Sequence, residues 1–181
     1  NTASDYDSVG FPLYLKANGT SSAMATNSID FSGTGKMTVV TGLRKLSDAA
    51  KSYLIELSAT SDINNGSFAL TAPNSAAANY AWLSKGTIAD TLIATTYTAP
   101  LNNVVTGLAN ISGATNTLRV NGIATSDTNT QGTGVYGNYP LYLFTRSATV
   151  PTVAYNVYGA IIRGAQSDTA SVTQTENYMA Q

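Results

Sequence analysis

Apolar and polar residues alternate along most of this chain in short runs, the period of strands lying on a half-buried sheet. The clearest runs are Pro12 to Lys16, Lys36 to Leu43, Tyr53 to Leu57, Ser67 to Thr71, Tyr80 to Ser84, Val104 to Leu108, Asn116 to Val120, Leu141 to Thr145 and Val157 to Arg163. Turn residues separate them: Asn18-Gly19, Asn64-Asn65-Gly66, Gly113 and the polar stretch Thr125 to Asn138. Many short strands punctuated this way predict a β-sandwich or barrel. Within Leu118 to Ala124, Asn121-Gly122 separates two apolar runs and predicts a hairpin with a type I′ turn.

The C-terminus alone carries a helical pattern. Ser167 can cap, Asp168 suits the positive end of the dipole, and Val172, Thr175 and Met179 share one face. Such a helix after the last strand is expected to plug one end of a sandwich. Two segments echo each other: Val39-Val40-Thr41-Gly42-Leu43 returns as Val104-Val105-Thr106-Gly107-Leu108, and Pro12-Leu13-Tyr14-Leu15 returns as Pro140-Leu141-Tyr142-Leu143. Their nested order excludes a solenoid and leaves two readings, similar environments on paired strands or a chance match. At 181 residues the chain suits one domain. Residues 1–10 read as a leader or linker, and 11–181 as a single sandwich domain.

Composition sharpens this picture. Charged residues are 10% of the chain, against roughly 25% in an average soluble domain. Thr, Ser, Asn, Ala and Gly take their place, a mix that suits strands and turns better than amphipathic helices. The low charge also predicts that neighbours cover part of the surface, hence a homo-oligomer or a module bound into a larger assembly. Net charge is −1 with the basic residues scattered, so no nucleic acid partner is expected. No apolar run approaches the roughly 20 residues of a membrane helix, and no membrane partner is expected.

The chain has no His and no Cys, which removes Ser-His-Asp and Cys-His catalysis and the common zinc sites. Gly132-Thr133-Gly134-Val135-Tyr136-Gly137 has dinucleotide-fingerprint spacing but lacks the flanking strand and helix, so it reads as a glycine-rich loop. Gly33-Thr34-Gly35-Lys36 reads as a turn. The two glutamates, Glu56 and Glu176, have no paired acid nearby, and a glycan hydrolase is the weakest of the readings. No catalytic residue is predicted. Asp62-Ile63-Asn64-Asn65-Gly66 and Asp127-Thr128-Asn129 offer hard oxygen ligands, so calcium is an open possibility. Asx turns are the leading reading, and no cofactor is predicted.

Aromatic side chains carry the binding signal, with 11 Tyr, one Trp and 4 Phe. Trp82, Tyr142 and Tyr158 read as core residues on strands. Tyr136, Asn138 and Tyr139 lie in a loop where exposed rings and an amide would stack on sugar faces and bond hydroxyls. For Tyr136 and Tyr139, a core role stands beside the binding one.

At Thr117-Leu118-Arg119-Val120-Asn121-Gly122-Ile123 the chain resembles the penultimate hairpin of concanavalin A-like, laminin-G-type jelly rolls. The likeness continues through Gln131 to Gly134, Tyr136 to Leu143 and Tyr158 to Ala165, and ends in the helix from Ser167 to Tyr178. Ile29-Asp30-Phe31, Lys36 to Val39, Gly42 to Lys45, Glu56-Leu57-Ser58 and Asn65 to Phe68 are similar to modules of tailed-phage and prophage structural proteins. The resemblance implies an all-β, two-sheet antiparallel jelly-roll sandwich with one short C-terminal helix. It further implies a lectin-like virion surface or extracellular module, in a tail fibre, spike or capsid decoration, that binds host glycan or receptor without catalysis. The alternative is a structural subunit that only packs against other virion proteins. Phe144 and Tyr155 stand where such modules often carry Gly, enlarging side chains expected near a strand edge.

Overall fold

The computed structural model describes residues 6–7, 13–147 and 153–181. In chain order the strands are β1 Tyr6–Asp7, β2 Tyr14–Asn18, β3 Met24–Asp30, β4 Lys36–Lys45, β5 Tyr53–Leu57, β6 Ser67–Thr71 and β7 Asn79–Lys85. There follow β8 Ala89–Thr95, β9 Leu101–Asn110, β10 Thr115–Val120, β11 Ile123–Asp127, β12 Asn138–Leu143, β13 Ala154–Arg163 and the helix α1 Thr169–Met179. Seven strands make one sheet in the order β1-β2-β13-β4-β9-β10-β11, and six make the other in the order β3-β12-β5-β6-β7-β8. This is the two-sheet antiparallel sandwich that the resemblance implies. Tyr6–Asp7, inside the segment expected as leader or linker, pair with Leu15 and Tyr14 of β2.

The alternating runs become strands because one face of each can be buried between the sheets. Tyr53–Leu57 and Ser67–Thr71 agree with the expected runs to the residue. β3 and β8 carry no visible run. β3 is largely exposed, and the buried positions of β8 begin with Asp90, whose charge hides the alternation. β12 stops at Leu143, two residues short of the expected Thr145, because Phe144 turns to φ 65°. Asn121 and Gly122, at φ 50° and 82°, form the expected tight hairpin turn between β10 and β11.

The echoing pentapeptides are partners. β4 and β9 pair antiparallel with Val39 opposite Gly107 and Gly42 opposite Val104, at the centre of the seven-stranded sheet. Each glycine takes a side chain from another layer. A Cβ on Gly107 would lie 2.2 Å from the indole of Trp82, which crosses from β7 on the facing sheet. A Cβ on Gly42 would lie 3.0 Å from the Met179 carbonyl of α1 on the opposite face. The other echo joins no pair: Tyr14-Leu15 belong to one sheet and Leu141 to Leu143 to the other, while Pro12 lies outside the described residues.

The helix corrects two expectations. Asp168, rather than Ser167, is its N-cap and accepts from Ser171 N at 2.8 Å, and this hydrogen bond holds its carboxyl below the usual range. The helix does not plug an end. It lies on the outer face of the seven-stranded sheet, with Val172 and Glu176 buried and Thr106 Oγ1 donating to Glu176 at 2.8 Å. Phe144 and Tyr155 are also corrected: both are buried, with ring centroids 6.3 Å apart, and they fill the core instead of widening a rim.

Candidate functional site

The structure separates the three residues expected to bind. Tyr136 is fully buried against Phe68, and its hydroxyl lies 2.6 Å from Ser84 Oγ, so it presents no surface to a ligand. Burial pushes its phenol pKa up, as befits a core residue. Tyr136 is therefore corrected to a core role, because three glycines in its loop let the backbone fold the ring inward. Gly66, whose φ is 70°, adds to this: its carbonyl accepts from Gly137 N at 2.8 Å, and a Cβ there would run into the Val135 carbonyl. Tyr139 is half-buried and donates to the Asn65 carbonyl at 3.1 Å. Asn138 is exposed at the start of β12. Of the three strand aromatics read as core, Trp82 is buried, whereas Tyr142 and Tyr158 are half-buried on outer surfaces.

The acidic candidates resolve into structure. Glu56 has no exposed surface; its Oε1 accepts from Ser61 N at 2.8 Å and from Arg146 Nε at 3.2 Å. Burial raises its pKa against those bonds. A carboxyl with no solvent-accessible surface cannot meet a glycosidic oxygen in this conformation. Asp62 ion-pairs with Arg146, whose hydrogen bond and charge outweigh partial burial and lower its pKa. The Asp62 to Gly66 loop is closed by Ser67, whose hydroxyl donates to the Ser61 and Asn64 carbonyls.

A groove of about 510 Å³ opens on the outer face of the seven-stranded sheet, beside the last turn of α1. It draws on β4, β9, the β10–β11 turn, β13 and the helix. Gly42 and Gly159 lack side chains, so Met179 settles onto both and brings the 70% exposed Tyr178 to the rim. A β-bulge between Val157 and Gly159 places Tyr158 on the other side, edge-on to Tyr14 with centroids 5.9 Å apart. Asn102, Asn103 and Asn121 line the groove with these phenols. Asn121 accepts from Val104 N at 2.8 Å and donates to Asn103 at 2.7 Å, and Asn103 donates to the Tyr80 hydroxyl at 2.7 Å. Asn102 is exposed, 3.5 Å from the Tyr158 hydroxyl.

None of the side chains lining the groove is charged. An ionic ligand would lose hydration there without a counter-charge, whereas a neutral polyol would find amides for its hydroxyls and rings for its C–H faces. The groove escapes sequence reading because its residues come from five separate stretches. The only local signal is the Asn121-Gly122 turn, which says hairpin and not ligand. Tyr158 also borders a second, apolar cleft of about 390 Å³ between the sheets, lined by residues such as Leu15, Leu54, Leu143 and Val157.

No protein-family model matches the chain, and no curated protein sequence does. Solved structures do. The botulinum neurotoxin serotype G binding domain is similar with a TM-score of 0.74 and 11% identity, over 100% of this chain and 46% of that one. The binding domain of Paraclostridial Mosquitocidal Protein 1 gives 0.73 and 14%, over 96% and 45%. The binding domain of botulinum neurotoxin DC, in complex with SialylT, gives 0.71 and 10%, over 96% and 45%. The chain spans less than half the length of each. At such identities the likeness concerns the fold, and the virion placement rests on the sequence resemblance alone. What the chain shares with these toxin binding domains is the two-sheet antiparallel sandwich.

Proposed function

We propose that this chain is a non-catalytic binding module that holds a neutral glycan in the groove between Tyr158 and Tyr178. The observation that carries this reading is a groove without charged side chains whose lining combines two phenols with asparagine amides fixed to a sheet. Similarity to toxin binding domains supports only the coarser part of this reading, a glycan-binding module, since one of those domains is complexed with SialylT and another toxin is described as depending on two ganglioside molecules for cell entry; the neutral character of the ligand rests on the uncharged side chains of the groove. An extracellular setting, on a virion surface or otherwise, belongs to the same reading.

The test is a glycan array followed by titration of the best neutral hit. Tyr178→Ala should weaken binding about fivefold, the effect of losing roughly 1 kcal/mol of ring contact at the rim. Its melting temperature should stay unchanged, because the side chain is 70% exposed. An Asn138→Ala, Tyr139→Ala double variant should bind as the parent does. The reverse pattern would move the ligand to the β12 loop.

A subunit that only packs against copies of itself or other virion proteins is the second reading. It draws on the low charge and on edge strand β11, where Ile123 is 70% exposed. Light-scattering mass measurement at high concentration should then give an oligomer that Ile123→Lys dissociates. A monomer throughout would leave that reading without support.

A further inference from the structure

At the far end of β9 from the groove, carboxylates from the two sheets approach each other at the edge of the sandwich. Asp90 comes from β8 of the six-stranded sheet and is 7% exposed. Asp127 closes β11 of the other sheet, opposite Asn116 of β10. Asn129 Nδ2 bridges them, 2.8 Å from Asp127 Oδ2 and 3.4 Å from Asp90 Oδ1. Asn116 Nδ2 donates to Asp90 Oδ2 at 2.7 Å and lies 3.4 Å from the Asp90 carbonyl. Among the described residues neither aspartate has an ion-pair partner. The telling atom is Asn116 Oδ1: the residue is 0% exposed, its amide is aimed into this cluster, and the oxygen accepts nothing among the described residues.

We propose that Asp90, Asp127, Asn116 and Asn129 form a calcium site that clamps β8 to β10 and β11 across the open side of the sandwich. The donor set is all oxygen, which selects a hard cation, and the absence of His and Cys leaves no soft ligands for zinc. Each amide now fills a carboxylate lone pair with its nitrogen. A half-turn about the last side-chain torsion presents the oxygen instead, adding two neutral ligands to the carboxylates and the Asp90 carbonyl. Calcium accepts such irregular sets, whereas magnesium demands a near-ideal octahedron. Two carboxylates balance one divalent ion without excess, so the affinity falls in the weak range of about 10⁻⁴ to 10⁻³ M. The Asp127-Thr128-Asn129 stretch supplies half of the set, and the fold brings the rest.

The test is thermal unfolding of the chelator-stripped full chain during calcium chloride titration. The melting temperature should rise by about 5 °C at 10 mM calcium, and by less than half as much with magnesium. Asp127→Asn should abolish the rise while melting in chelator at or above the parent temperature, since it relieves like-charge repulsion. Asn129→Ala should halve the rise or more, which covers the case in which Asp127→Asn does not fold. No calcium-dependent rise in the parent, an equal rise with magnesium, or a rise retained in the variants would overturn the proposal.

Discussion

Gly107→Ala is expected to destabilise the domain by about 3 kcal/mol, at the upper end of the usual cost of overpacking a core. The reason is local and geometric. A Cβ at this position would lie 2.2 to 2.6 Å from three ring atoms of Trp82, inside any tolerable carbon–carbon contact. Trp82 is fully buried beside Phe68, with centroids 5.3 Å apart, so the indole has nowhere to retreat. For a chain of this size the melting temperature should fall by roughly 6 to 12 °C. Gly33→Ala is the matched control, because nothing lies within 4 Å of its would-be Cβ, and it should melt within about 1 °C of the parent. Adding Trp82→Phe to Gly107→Ala should recover part of the loss. A Gly107→Ala protein as stable as the control would mean that the two sheets do not meet at this point.

Glu176→Ala should cost about 3 kcal/mol by a different route, the stranding of a partly buried cation. Glu176 accepts from Arg119 Nε at 2.8 Å, from Arg119 Nη2 at 2.9 Å and from Thr106 Oγ1 at 2.8 Å. The ion-paired side chains are 14% and 7% exposed, so little water is available to replace the lost carboxylate. Hydrogen exchange should show residues 169–179 exchanging faster while the sheets keep their protection. Glu176→Gln, which keeps an acceptor, should fall between. Since Tyr178 rides on the same helix, Glu176→Ala should also weaken glycan binding without altering any groove residue. Unchanged exchange in α1 would show that the helix is held by Val172 and Met179 alone.

Much of the sandwich is legible in the chain because its strands are half-buried, and half-burial writes itself as alternation. Where that condition fails, legibility fails too. β3 is exposed on most positions and β8 hides a buried Asp90 among its core-facing residues, so neither shows a run. Lys45 is a similar case. It is buried at the end of β4, pairs with Asp48 at 2.6 Å and stands 4.5 Å over the Tyr80 ring, with burial lowering its pKa. A lysine there reads as the end of a strand when it is part of the interior.

The candidate site was legible only in kind. Abundant tyrosine and amide without imidazole or thiol pointed to contact chemistry, and the groove is made of those groups. Its location was not legible, since whether a tyrosine is core or surface depends on what faces it. Tyr136 folds inward onto Phe68, while a bulge carries Tyr158 out of the β13 alternation.

By itself, then, the sequence determines the strand class, the Asn121-Gly122 turn, the C-terminal helix and the poverty of acid–base chemistry, because each follows from neighbours in the chain. Only the tertiary structure decides that Gly107 seats Trp82, that α1 covers a sheet face, and that Asp90 meets Asp127 and Asn116. Those facts depend on which distant surfaces come within a few ångströms, and side-chain periodicity says which face is buried but not against what.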